Sequence, residues 1–234
     1  TRLDFPLPQQ IWSEIHREGE ICNPFKCPFA SNCPFQMAKK EWMQSNILVM
    51  NHYLFFTNIA FDKIYLPDTE VVVFDEAHSV EDIAASQLGF NLRYDELIKI
   101  LDSFEKKGQK GLIYVIKDEE ARDECIEILH VIRKEAKKLF NVINNTILKQ
   151  KQQVRLTQPL HQSVTLVDAI KKIVLLLSKH EDQYADNELL MLEFDIARGK
   201  LFLFNEHLAI VAYMSKENHV YWAEAGKRSV VQQV

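Results

Sequence analysis

Residues 71–78 read VVVFDEAH. Three valines and a phenylalanine in succession leave no polar face for water, so the run predicts a β-strand covered on both sides, as in the middle of a parallel sheet. A strand of that kind constrains its surroundings to an α/β architecture. Asp75 and Glu76 then emerge at its carboxyl end, where open α/β sheets place ligands. The following HSVEDIAASQ (78–87) predicts a helix start, with Ser79 as N-cap, Asp82 in a variant of the capping box, and Ile83 and Ala84 turned inward. The acid pair is therefore expected at a strand-to-helix turn.

This is the geometry of a Walker B segment. In nucleotide hydrolases such an aspartate helps hold Mg²⁺ and the next acid orients or deprotonates water, because phosphoryl transfer is catalysed mainly by positioning and charge stabilisation. The partner of such a segment is a GxxxxGK[ST] loop, whose backbone N–H groups and lysine cradle the phosphates. Neither Gly-Lys pair supplies it: Gly199-Lys200 and Gly226-Lys227 continue into Leu201 and Arg228, where a hydroxyl is required. The chain carries half of an ATP site, unless the apolar run simply ends in an acidic turn.

A second constellation is CNPFKCPFASNCPF, residues 22–35, with Cys22, Cys27 and Cys33 spaced C-x4-C-x5-C. Pro24, Pro28 and Pro34 stiffen the loop and remove donors, and Phe25, Phe29 and Phe35 can cover an apolar object. Thiolates converging from a short turn-rich loop suit zinc or an iron-sulfur cluster. Disulfides fit less well, since no export signal is visible, a cytoplasmic location is expected, and three clustered cysteines leave one unpaired. The fourth cysteine, Cys125, occupies an inward position of a strongly helical segment beside Ile126 and Leu129 and reads as a buried structural thiol. Three ligands satisfy neither metal centre. Both half-sites point upstream of Thr1.

Around these motifs the chain alternates. LPQQIWSEIHRE (7–18) and PFQMAKKEWMQS (34–45) predict helices, the latter opened by proline. ILVMNHYLFF (47–56) predicts a strand that changes into a second apolar segment at Asn51-His52, a polar pair placed to hydrogen-bond at the turn, with His52 read as structural. The DEAH strand is expected beside it as a parallel neighbour in a βαβ unit. From about residue 92 to 214 the apolar residues recur at three and four, in segments beginning at YDELIKIL, DEEARDEC, HQSVTLVD and NELLMLEF, with breaks at 106–111 and 157–162. HVYWAEA and SVVQQV return to β character, with Gly226 between them. Six glycines and seven prolines in 234 residues also favour a helix-rich fold. No apolar run is long enough to span a membrane. The net charge of −5 gives no overall footprint for nucleic acid, yet Arg133, Lys134, Lys137, Lys138, Lys149, Lys151 and Arg155 cluster in and after one helix. They can meet a phosphate backbone, or form an ordinary solvated helix face.

Taken in order, the C-x4-C-x5-C loop, ILVMNHYLFF, VVVFDEAHSVEDIA, a helical insertion and VYWAEA resemble the middle of a DinG-type helicase, a bacterial relative of XPD in superfamily two. The resemblance implies an ATP-dependent, 5′ to 3′ DNA helicase acting on single-stranded or forked DNA. It also implies a RecA-like parallel-sheet motor domain interrupted by a [4Fe-4S] region and a helical arch. By it, Asp75 would hold Mg²⁺ of the ATP complex, Glu76 would position the attacking water, and His78 would couple nucleotide state to the motor. Cys22, Cys27 and Cys33 would be three cluster ligands, with the fourth upstream. The implied divisions are a cysteine-rich region at 1–46, motor sequence at 47–91, the arch-like insertion at 92–214 and a return to the motor at 215–234. On this reading the chain is a fragment, inactive alone for want of a phosphate loop. The other reading is a metal-binding, nucleic-acid-binding module in which DEAH is only a turn.

Overall fold

A computed structural model of the chain describes residues 27–60, 66–106, 111–180, 188–216, 219–225 and 230–233. The chain divides into two compact units, one formed by Thr1–Val49 with Lys63–Thr69 and the other by Met50–Asp62 with Glu70–Val234. The helix expected at 7–18, Cys22 and the Gly226 turn lie outside the described residues.

In the first unit a single 3₁₀ turn, Ala30–Asn32, leads into helix α1, Pro34–Gln44. The proline stands at the start as expected, where its missing N–H is no loss and its fixed φ suits the first turn. Phe35 and Trp42 meet edge to face across two turns of α1, with centroids 6.4 Å apart.

The second unit opens on α2, His52–Ala60. The break expected at Asn51-His52 is there, because the Asn51 side chain accepts the Leu54 N–H at 2.9 Å and so caps the helix. The strands expected on either side of that break are not. Residues 47–50 and 71–74 have no regular secondary structure. Far from being covered on both faces, Val71 and Val73 are 79% and 88% exposed. An apolar run becomes a strand only where neighbouring backbone hydrogen-bonds with it, and among the described residues none pairs with either segment. After a 3₁₀ turn at Ala77–Ser79 comes α3, Val80–Leu88, starting where the sequence places it, with Ile83 and Ala84 half-buried.

The remainder is helix-rich, with one small sheet. Strand β1, Phe90–Arg93, runs into α4, Tyr94–Phe104; α5 spans Glu119–Val142; β2 is Gln153–Leu156; α6 is Val164–Lys179; α7 is Glu188–Tyr213; and β3, Tyr221–Glu224, is followed by β4, Val230–Gln233. Helices α4 to α7 pack in a closed ring, α4 on α5, α5 on α6, α6 on α7 and α7 back on α4, which makes a four-helix bundle. Their buried stripes follow the three-and-four spacing of the sequence: Leu97, Leu101 and Phe104 from α4; Cys125, Leu129, Ile132 and Ala136 from α5; Leu166, Ile170 and Ile173 from α6; Phe194, Leu201 and Leu208 from α7. Helix α5 begins with Asp118, whose carboxylate accepts the Glu120 and Ala121 N–H groups. Burial, with the Glu124 carboxylate beside it, pushes the Cys125 thiol up to about 11, which keeps it protonated inside the bundle.

The strands form one sheet in the order β1-β4-β3-β2, antiparallel throughout, rather than the parallel sheet the valine run suggests. The two C-terminal strands are in place, but they pair with segments flanking the helices, β1 and β2, which are too short to stand out by periodicity. Leu92, Leu156, Tyr221 and Ala223 turn into the same core as the bundle, leaving the alternate residues on the other face. Among the described residues no helix is long and apolar enough to cross a membrane.

The His207 imidazole of α7 stacks on the Phe90 ring of β1, 3.9 Å between centroids and within 1° of parallel. Burial there holds it below histidine's ordinary value, against the opposing pull of Glu206. The unfolded chain therefore takes up this proton at a higher pH than the folded one, so stability falls as pH drops from about 6.5 towards the depressed folded value. The Glu96 carboxyl of α4 is raised by partial desolvation, opposed by Arg93, and contributes in the opposite sense, losing stability as pH climbs above its unfolded value. Between pH 7.5 and 5.5 the urea midpoint of wild type should fall relative to that of His207→Phe; parallel profiles would remove His207 from the acid sensitivity.

Candidate functional site

The DEAH turn is held from both ends by α2. Upstream, the Phe74 ring is gripped by three rings of that helix: Phe55 edge-on at 5.1 Å, Phe56 stacked at 5.9 Å and His52 tilted at 5.7 Å. Downstream, α3 packs on α2, and the Thr57 hydroxyl donates to the Gln87 side-chain oxygen at 3.1 Å. The structural role read for His52 is what the ring contact provides.

Between those anchors the acid pair folds back on itself. Asp75 Oδ1 accepts the Glu76 N–H at 2.8 Å. The Glu76 carbonyl accepts both the N–H and the hydroxyl of Ser79, at 2.9 and 3.0 Å. The Ser79 side chain thus closes the turn instead of capping α3. Glu76 itself adopts φ 48°, ψ 49°, the left-handed region that side chains with a Cβ avoid. Its carboxylate lies 3.3 Å from His78 Nδ1, and both side chains face solvent. A glutamate kept in a conformation suited to glycine is a local strain of the kind found at functional sites. Glu76→Gly should raise the unfolding free energy of the isolated chain by about 0.5–1 kcal/mol. An unchanged or lower urea midpoint would mean that the carboxylate contributes more to the turn than its backbone loses.

The donor chemistry fits magnesium. One oxygen of Asp75 is committed to the turn, and the carboxylate is exposed. Mg²⁺ bound with a nucleotide takes one or two protein carboxylates, with water and phosphate oxygens completing the shell. No cluster of three or more His, Cys, Asp or Glu side chains is gathered among the described residues. A single carboxylate in the open matches the phosphate-sharing mode.

Two of the three clustered cysteines are described, Cys27 exposed and Cys33 half-buried, both as free thiols. They flank the Ala30–Asn32 turn. The Cys27 carbonyl accepts the Ala30 N–H at 3.1 Å, and Cys33 stands at the N-cap of α1 with its carbonyl accepting from Met37 at 3.0 Å. Soft sulfur donors on a proline-bounded turn suit a thiolate-ligated centre.

The basic cluster divides. Arg133 is consumed inside the bundle: Nη1 pairs with Asp102 at 2.8 Å, and Nη2 donates to the Glu105 carbonyl while lying 3.9 Å from its carboxylate. It ties α5 to the end of α4 and is unavailable to a ligand. Lys138 pairs with Glu135 at 2.6 Å on the surface. Lys137, Lys149, Lys151 and Arg155 are exposed. A sharper sequence signal accompanies them, since no Asp or Glu occurs between Glu135 and Asp168 in a chain that is acidic overall.

The class comes first from the acid turn and cysteine loop: residues 22–97 match the DEAD_2 family model, a continuous stretch containing the three clustered cysteines and the DEAH turn. Particular relatives agree with it. The chain is 33% identical over 101 residues to the ATP-dependent DNA helicase YoaA of Haemophilus influenzae, covering 42% of this chain and 15% of that protein. It is 28% identical over 95 residues to YoaA of Escherichia coli, covering 39% and 15%, and 26% identical over 87 residues to the ATP-dependent DNA helicase DinG of E. coli, covering 36% and 12%. The similarity to DinG-type superfamily 2 helicases holds, over a stretch that spans about one seventh or less of those relatives.

Proposed function

We infer that this chain is the portion of an ATP-dependent, 5′ to 3′ DNA helicase that carries its magnesium and water-positioning acids, its cysteine-rich region (1–46) and a helical arch-like insertion (92–214), with residues 47–91 and 215–234 contributing to the motor domain. The observation that supports this most directly is the DEAH turn: an exposed acid pair, pinned between α2 and α3, behind an apolar run that pairs with no strand among the described residues. Exposed valines at the mouth of a strained acidic turn make little sense as a finished surface. They make sense as a central strand of a RecA-like sheet whose neighbours come from the rest of a motor.

In that setting Asp75 would hold the Mg²⁺ of bound ATP, which would supply neutralisation of the charge on the phosphates, and Glu76 would orient the attacking water. His78, within reach of Glu76, links the state of that carboxylate to neighbouring motor elements. Cys22, Cys27 and Cys33 would hold a [4Fe-4S] cluster together with one further thiolate. The exposed Lys137, Lys138, Lys149, Lys151 and Arg155 meet DNA phosphates.

Alone, the chain has no loop to grip the β and γ phosphates, so it should show no DNA-stimulated ATP hydrolysis. Measurable turnover by the isolated chain would contradict this reading. So would a native reading frame without GxxxxGK[ST] in the same polypeptide.

A further inference from the structure

The antiparallel sheet turns one face to the bundle, and the alternate residues of its strands form the other. Along β2, Val154 and Leu156 turn inward while Gln153 and Arg155 alternate outward into solvent. The same parity places Trp222 and Glu224 of β3, and Asn91 and Arg93 of β1, on the outer face. Trp222 stands directly opposite Arg155 in the β2–β3 register, a cross-strand pair whose Cβ atoms lie about 5 Å apart. The indole is half-buried, and its Nε1 is a buried donor with no acceptor among the described residues.

The approach to β2 is basic and strained. Helix α5 ends in a π-turn, Ile143–Leu148, and the next two residues, Lys149 and Gln150, both take positive φ, 44° and 70°. Glycine would turn this corner without strain, yet the chain places a lysine there. Ala225 N–H then bonds the Gln152 carbonyl at 2.7 Å, which extends the β2–β3 ladder by a step and sets Lys151 on the side of Gln153 and Arg155. The acid-free interval from Glu135 to Asp168 covers this whole edge, and its uncharged polar residues include Gln150, Gln152 and Gln153. Across the sheet, Arg93 is already paired with Asp95 at 3.2 Å, and Glu224 is the acid of the outer face.

We propose that the outer face of the sheet at β2 and β3 is a single-stranded DNA platform, on which Trp222 stacks a base while Arg155, Lys151 and Lys149 hold the phosphates on either side. The proposal rests on the helicase reading for the nature of its ligand and adds a location that the DEAH turn does not specify. An edge strand carrying cations next to an aromatic on the same face is the combination by which sheets bind single strands: sequence-tolerant stacking plus backbone charge. A duplex, whose bases are already stacked, gains nothing from Trp222.

The test uses the chain itself with fluorescein-labelled oligo-dT and a duplex of equal length, read by anisotropy, together with tryptophan fluorescence. Wild type should bind oligo-dT more tightly than duplex and lose tryptophan emission on binding. Trp222→Ala should weaken oligo-dT binding about tenfold. Lys151→Glu with Arg155→Glu should weaken both ligands and flatten the salt dependence of oligo-dT binding by about 1.4 in log–log slope. Glu224→Gln should tighten it. Because Trp222→Ala also removes a half-buried ring from the sheet, Trp222→Phe is decisive: it should keep affinity within about threefold while abolishing the fluorescence quench. A quench that survives in Trp222→Phe, equal affinity for duplex, or no binding by wild type each overturns the platform. None of these bears on ATP turnover, which the phosphate-loop test addresses separately.

Discussion

Replacing Glu76 by glutamine in a polypeptide that completes the nucleotide site should reduce DNA-stimulated ATP hydrolysis by about 10²–10⁴-fold, the range associated with losing one positioned base. Glutamine keeps the length and shape of the side chain and the Ser79 contacts, which are made to the backbone carbonyl of residue 76. The change is therefore confined to one exposed carboxylate. Stability should stay within about 0.5 kcal/mol, as for surface positions generally, and ATP binding should persist because Asp75 still offers its free oxygen to the metal. A loss in kcat with little change in nucleotide affinity assigns Glu76 to the chemical step. Were turnover to survive, DEAH would be an acidic turn and no more, and the second reading, a binding module without ATPase activity, would take its place. The Glu76→Gly variant sharpens the comparison: equally inactive yet more stable, it would separate the backbone strain at this position from the work of its carboxylate.

Which parts of this were legible in the sequence follows from where the physical information resides. The helices α4 to α7 announce themselves because a 3.6-residue repeat is written within each segment, and Leu129, Ala136, Leu139 and Phe140 are buried where that repeat places them. The break at Asn51 was legible for the same reason, since a cap is local, whereas α3 starts where the sequence places it although the Ser79 side chain closes the preceding turn instead of capping the helix. Burial of Val71–Phe74 is not local. An apolar run states what would favour burial, but only other elements that pair with it and pack on its faces can supply it. Strands β1 and β2 were missed because four residues give two repeats of an alternation, which many loops also show. Arg133 and Lys137 sit one helical turn apart and read alike; Asp102 and Glu105, on a different helix, distinguish them. The one missed signal that was open to inspection is the acid-free interval after Glu135, which separates the exposed cations of β2 from the paired arginine better than any count of basic residues.

The largest stability effect should come from Phe104→Ala, about 3–5 kcal/mol in unfolding free energy. Phe104 ends α4 with none of its surface exposed, and its ring meets Phe194 of α7 edge to face at 5.7 Å, the planes 83° apart. How much a cavity costs depends on how far its walls can collapse, and here they are pinned. The Phe104 carbonyl abuts Gly111, where a Cβ would collide with it, and the carbonyl of the next residue, Glu105, is held by Arg133. The C-terminal end of α4 cannot slide to fill the void, which places the loss in the upper part of the range. Phe194→Ala should cost a similar amount. In the double variant the two should fall short of additivity by about 0.5–1.5 kcal/mol, the worth of an edge-to-face pair beyond its area, measured from urea unfolding of all four proteins. Additivity would mean that the rings share a cavity without interacting. The sheet lies on the same core through Leu92, Tyr221 and Ala223, so these variants also divide scaffold from surface. At a temperature where Phe104→Ala remains folded, its affinity for oligo-dT should match wild type, whereas Trp222→Ala should bind weakly however stable it is.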